Sequence, residues 1–79
     1  MNENLANRMG EIVRLFRNEA GLSQEGLAAR CNLHRTYIGS IERGEKTITI
    51  ETAQKLAKAF GISLTQLFQR LENQQDEAQ

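Results

Sequence analysis

The stretch from Gln24 to Arg43, QEGLAARCNLHRTYIGSIER, constrains the fold of this chain more than any other. Apolar side chains recur there at Leu27, Cys31, Leu33, Ile38 and Ile41, a spacing that gives two short amphipathic helical segments. Between them, Asn32 stands where the first segment has to stop and the chain has to swing into a left-handed conformation. Asn is the non-glycine residue best suited to that, because its short amide tolerates positive φ. The connection is tighter than an ordinary helix-to-helix link. Ala28 is small at the point where the two backbones would have to cross closely.

The totals agree with a small helical domain. Seventy-nine residues make one domain near the lower limit of a self-sufficient core, and 39 % hydrophobic residues suffice to fill it. There is no proline, and β-branched residues are few outside positions 47–52, so the expected class is all-α. A single cysteine excludes an intrachain disulfide and fits a reducing compartment. No apolar run approaches the roughly 20 residues of a membrane span, and no signal peptide opens the chain. The expected location is therefore cytoplasmic. A formal charge of zero argues at first sight against a polyanionic partner. Residues 1–70, however, carry all ten Lys/Arg against seven acids, whereas residues 72–79 carry three acids and no base. Charge at a binding surface is a local quantity, so neutrality weakens that role without refuting it.

Five helices are expected. The first spans about Asn4 to Ala20, with Leu5, Met9, Ile12 and Phe16 on one stripe, Val13 widening it, and Gly21 as the stop. Gly10 lies inside this helix at a cost of about 1 kcal/mol relative to Ala, with no reason visible in the sequence. Ser23, Thr49 and Ser63 cap later helices, each flanked by a hydrophobic staple: Leu22 with Leu27, Ile48 with Ala53, Ile62 with Leu67. The third helix has the staple, Leu33 with Ile38, but His34 at the cap. Exits are marked by Gly21, Asn32, Gly44 and Gly61. The domain is expected to cover residues 1–71, with the two-helix unit at 24–43, and the acidic stretch 72–79 to be disordered.

A tight turn followed by a helix presented outward is the helix-turn-helix arrangement, in which the second helix lies in a DNA groove. Arg35, Thr36 and Ser40 fall on its outward face, opposite Ile38 and Ile41. Arg can bond guanine O6 and N7 together, and Thr can touch a thymine methyl, so these three are the candidate base readers. Gln24 opens the first helix of the pair, where its amide and the helix N-terminus can grip a phosphate. Tyr37, Arg43, Lys46 and Thr47 flank the reading helix as candidate phosphate anchors. His34 could touch a phosphate or merely cap its helix. Gly39 weakens the reading helix; it permits a close backbone approach or is simply tolerated. Glu42 faces the core and needs a partner, for which Arg17 in the first helix is the candidate. Cys31 and His34 supply at most two metal ligands, with a turn between them, short of a zinc site. Paired carboxylates, a phosphate loop and a nucleophilic triad are all absent from the sequence, so no cofactor, metal, small-molecule effector or catalytic function is expected.

The segment LSQEGLAARCNLHRTYIGSIERGEK, followed by ETAQKLAKAFGI, resembles the Cro/repressor-type helix-turn-helix proteins, the XRE family, over about residues 8–70. The resemblance implies a compact five-helix, lambda-repressor-like domain that dimerises and binds a pseudo-palindromic operator through its third helix. It matches Gln24 to a phosphate-gripping position, Arg35, Thr36 and Ser40 to base-reading positions, and Arg17 with Glu42 to an ion pair. Departures are Gly26 for the usual acid, Asn32 for the usual turn glycine and Gly39 for a polar residue. HRTYI, the short length and the lack of a sensor domain look like the controller proteins of restriction–modification systems; small phage repressors and antitoxins share most of these features. One helix-turn-helix buries too little surface to hold an operator tightly, so homodimerisation is expected, through Leu64, Phe68 and Leu71 of the last helix, unless these are all core. The rival readings are an antitoxin whose main partner is a protein and a helical interaction module without a DNA role.

Overall fold

Each helix begins and ends where the chain supplies a cap and a left-handed residue. A computed structural model describes the backbone of residues 4–77 and side chains as far as Asn73. It contains α1 (Leu5–Glu19), α2 (Gln24–Cys31), α3 (Arg35–Glu42), α4 (Ile50–Phe60) and α5 (Leu64–Glu77), and no strand among the described residues. The four exits run through Gly21, Asn32, Gly44 and Gly61, with φ of 71°, 56°, 76° and 75°. At each, two successive amides turn back on the helix just left. Leu33 N–H, for example, donates to Ala28 O at 2.9 Å and Asn32 N–H to Ala29 O at 3.3 Å. These bonds satisfy carbonyls that the helix itself leaves open.

At three exits the left-handed residue is followed by an apolar residue and then a cap: Gly21-Leu22-Ser23, Asn32-Leu33-His34 and Gly61-Ile62-Ser63. Ser23 Oγ accepts from Gly26 N–H at 2.9 Å. Ser63 and Gln66 exchange bonds of 2.8 and 3.0 Å as a reciprocal capping box. His34 Nδ1 accepts from Thr36 N–H at a looser 3.4 Å. The turn at Asn32 is thus built like its neighbours, which corrects the expectation that tightness sets it apart. The link between α3 and α4 is the longer one.

Helix α1 packs against α3, α4 and α5, and α2 against α3 and α4. The core they enclose comprises Met9, Ile12, Val13, Leu27, Ala28, Cys31, Ile38, Ile41, Ala53, Leu56, Ala57 and Leu67. At its edge Phe16 stacks on Phe60 with centroids 5.2 Å apart, and the Arg70 guanidinium lies 5.1 Å from the Phe16 ring. Gly10 now has its reason. It is buried where α1 crosses α3, and a Cβ there would strike the Ile41 carbonyl oxygen and stand 2.8 Å from that of Glu42.

Helix α5 continues to Glu77, so Glu72–Glu77, expected to be disordered, is helical; Ala78 and Gln79 lie outside the described residues. No Gly or Pro interrupts the stretch, and its Glu and Gln residues are good helix formers.

Candidate nucleic-acid interface

Helix α3 is gripped at one end and open at the other. Its last five residues, Ile38 to Glu42, are all buried, whereas Arg35 and Thr36 in its first turn are exposed. The Arg35 side chain is 68 % exposed, and its guanidinium stands 3.8 Å from the equally open carboxylate of Glu25. Such a pair holds Arg35 only weakly, because water screens it and both side chains would lose freedom by staying together. Tyr37 is half-buried against the edge of the core. Ser40 does not share the open face with Arg35 and Thr36. It is 8 % exposed, and its hydroxyl donates to Thr36 O at 3.1 Å. The expected outward face is therefore smaller than a single-sided helix would present.

The far end of α3 is fixed by Glu42, whose side chain is fully buried. Arg17 Nε donates to Glu42 Oε2 at 2.6 Å and Arg17 Nη2 to Oε1 at 3.1 Å, while Arg17 Nη1 donates to Leu22 O at 2.9 Å. Two further donors reach Oε1: Gln24 Nε2 at 3.1 Å and Arg14 Nε at 3.5 Å. Burial alone would raise the Glu42 carboxyl, but the bonds from Arg17, Gln24 and Arg14 outweigh it and hold the pKa below its ordinary value. Arg17 is raised in turn, chiefly by its bond to Glu42. A buried carboxylate with this many donors remains an anion in the interior.

The flanks of the open end carry the other predicted residues. His34 is exposed and caps α3. Arg43 is exposed and engages Glu45 through two bonds, Nε to Oε2 at 2.9 Å and Nη2 to Oε1 at 3.3 Å. Gln24 is half-buried, and its amide lies against Gly39: a Cβ on Gly39 would be 3.6 Å from Gln24 Oε1. Lys46 and Thr47 are exposed on the long link. They also border a shallow groove of about 180 Å³ whose floor includes Leu5, Met9, Phe68 and Leu71. Phe68 is 39 % exposed there, while Leu64 and Leu71 are half-buried against the core.

Cys31 is buried, with its Sγ 3.6 Å from Lys55 O, and burial pushes its thiol up. It forms no constellation with the exposed His34, and among the described residues no cluster of three or more metal-ligating side chains occurs. Sequence reasoning missed three features here: Gln24 and Arg14 as donors to Glu42, Glu45 as the partner of Arg43, and the amide resting on Gly39. Arg43 and Glu45, two apart in a turn, offered a signal. Gln24 and Glu42, eighteen apart, offered none.

A helix-turn-helix family profile matches residues 13–67. Control protein C.SmaI of Serratia marcescens is 49 % identical over 69 residues, which span 85 % of this chain and 82 % of that protein. Control protein C.BamHI of Bacillus amyloliquefaciens is 41 % identical over 63 residues, 78 % of each chain. Among solved structures, C.Esp1396I bound to a 25 base pair operator site is similar with a TM-score of 0.81 at 32 % identity, covering 91 % of this chain and 95 % of that one.

Proposed function

The chain belongs to the helix-turn-helix family and, within it, to the control proteins of restriction–modification systems, and on that premise we propose that it regulates transcription by binding a pseudo-palindromic operator as a homodimer. The observation that carries this reading is the asymmetry of α3: five buried residues anchor one end, and Arg35 and Thr36 are exposed at the other. A helix held that way can enter a major groove tip first without rearranging the core. Arg35 and Thr36 read base edges. Gln24, His34, Tyr37, Arg43, Lys46 and Thr47 hold the phosphates on either side, and Ser40 shapes the surface between them. Phosphate contacts fix the register, and the local surplus of positive charge over residues 1–70 supports them.

Two copies are needed, because a single unit of this size buries little surface on DNA. Pairing through Phe68 and its neighbours Leu64 and Leu71 sets two α3 helices about 34 Å apart, one turn of duplex. The protein acts in the cytoplasm as a regulator and not as an enzyme; no described helix is long and apolar enough to cross a membrane.

The test is footprinting of the purified protein on the DNA upstream of its own gene, followed by Arg35→Ala. The variant is expected to lose about 1–3 kcal/mol on the cognate site and to relax base preference at one position in each half-site. Should affinity fall equally on every sequence, Arg35 touches phosphate, and the assignment of base reading to this end of α3 is wrong.

A further inference from the structure

The Gln24 amide is held in place before any ligand arrives. Its Nε2 donates to Glu42 Oε1 at 3.1 Å, and that carboxylate is itself fixed by Arg17 and fully buried. On its other flank lies Gly39. A Cβ there would stand 3.6 Å from Gln24 Oε1, 3.9 Å from Gln24 Nε2 and 3.1 Å from Arg43 Nη1. The buried acceptor seats the amide, and the bare Gly39 packs beside it. A primary amide has two N–H groups, and Glu42 takes one. The other is left for an acceptor at the start of α2, where the unpaired backbone N–H groups already favour an anion.

We propose that Glu42 is a positioning residue for DNA binding, holding the Gln24 amide in the orientation from which it donates to an operator phosphate. This rests on the reading of the chain as an operator-binding protein. The buried network then has two duties, of which tying α1 to α3 is only the first. Glutamine is a rotamer-rich side chain, and fixing it in advance removes an ordering cost that would otherwise reduce affinity by about two- to tenfold in each half-site. A methyl at Gly39 would touch the amide only at ordinary van der Waals distances, 3.6 and 3.9 Å, and would press on the mobile end of Arg43 at 3.1 Å, so the orientation of the amide is set by Glu42.

A double-mutant cycle on operator affinity decides the matter, run well below the melting temperatures with folding checked by circular dichroism. Gln24→Ala is expected to weaken the dimer about tenfold or more, and Glu42→Gln by a comparable factor. The double variant should bind no worse than the weaker single one. Losses that multiply show that Glu42 does not act through Gln24 and overturn the proposal. Glu42→Asp keeps the question open to refutation if Glu42→Gln unfolds: it retains the buried anion but draws the acceptor back from the Gln24 amide, so it should bind severalfold more weakly and add nothing in the Gln24→Ala background. Wild-type affinity for Glu42→Asp, or for Gln24→Ala, also overturns it. In those cases wild-type discrimination between operator and random DNA still upholds the function itself, whereas loss of that discrimination sinks the function and the proposal together.

Discussion

Gly10→Ala should destabilise this domain, although the same substitution inside an exposed helix is stabilising. Removing a mid-helix glycine gains about 1 kcal/mol from propensity. Against that stands the crossing with α3, where the new Cβ would overlap the Ile41 carbonyl oxygen and lie 2.8 Å from Glu42 O and 3.0 Å from the Glu42 carbonyl carbon. These neighbours are backbone, so no side-chain rotation relieves the overlap, and the two helices have to separate. Overpacking typically costs about 1–3 kcal/mol where side chains give way, and a backbone obstacle belongs at the upper end. The net loss is then about 2 kcal/mol. At about 4–8 °C per kcal/mol for a domain of this size, the melting temperature should fall by about 8–16 °C. Thermal melts followed by far-ultraviolet circular dichroism measure it, with Gly26→Ala alongside. At Gly26 the nearest atoms a Cβ would meet belong to side chains, Ser23 Oγ at 3.3 Å and Leu22 Cδ2 and Cβ at 3.5 and 3.9 Å, so that variant should stay within about 1 kcal/mol of the wild type. A Gly10→Ala protein melting at or above the wild type would refute the close crossing.

Lys46→Ala should weaken binding to all sequences alike and reduce the slope of log affinity against log salt by about 2 for a dimer, one phosphate per protomer; an unchanged slope in a salt titration removes Lys46 from the interface. Because the folded pKa of Glu42 lies below its ordinary value of 4.5, its contribution to stability is complete at neutral pH and is lost as pH falls from about 4.5 through the folded value. Glu42→Gln should therefore cost about 3 kcal/mol at pH 7, and the gap between its urea midpoint and that of the wild type should narrow as pH falls below about 4.5; a gap that stays as wide on acidification contradicts the assignment. Phe68→Glu puts a charge on a 39 % exposed aromatic in the groove beside Leu5, Met9 and Leu71, so it should halve the mass seen in sedimentation, with circular dichroism checking that the fold survives. A dimer that survives it pairs elsewhere.

Chain punctuation was legible in the sequence because it is local. Gly21, Asn32, Gly44 and Gly61 all take the left-handed conformation, and Ser23, Thr49 and Ser63 all cap the helices assigned to them. Positions that answer to two neighbours at once were not legible. A helical wheel gives α3 one buried stripe, whereas Gly10 of α1 and Gln24 of α2 both meet its C-terminal half, and Ser40 is buried along with it. The cost of Gly10 could be read from its position, but its benefit lies in the carbonyls of residues more than thirty places away. The stretch after Leu71 looked disordered because it has nothing to bury. Continuing an established helix needs no burial, only residues that do not break it, since each added residue brings a hydrogen bond without a new nucleation cost.

The recurrence of one turn at three junctions shows what does and does not make α3 a reading helix. A left-handed residue, an apolar residue and a cap precede α2, α3 and α5 alike, so the turn sets an angle and cannot by itself select a DNA-facing element. What distinguishes α3 is the burial of five successive residues at its far end, a run found in no other described helix. At about 1.5 Å per residue, Arg35 stands about 10 Å along the axis from Glu42. A tilt of about 5° at the anchored end would then move the reading end by about 1 Å, a third of the length of the hydrogen bonds it has to make. Gly10, Arg17 and Glu42 hold the anchored end and so set that tilt. On the proposed assignment of base reading to Arg35 and Thr36, operator discrimination then depends on the packing of the buried end of α3 as well as on the residues that touch bases.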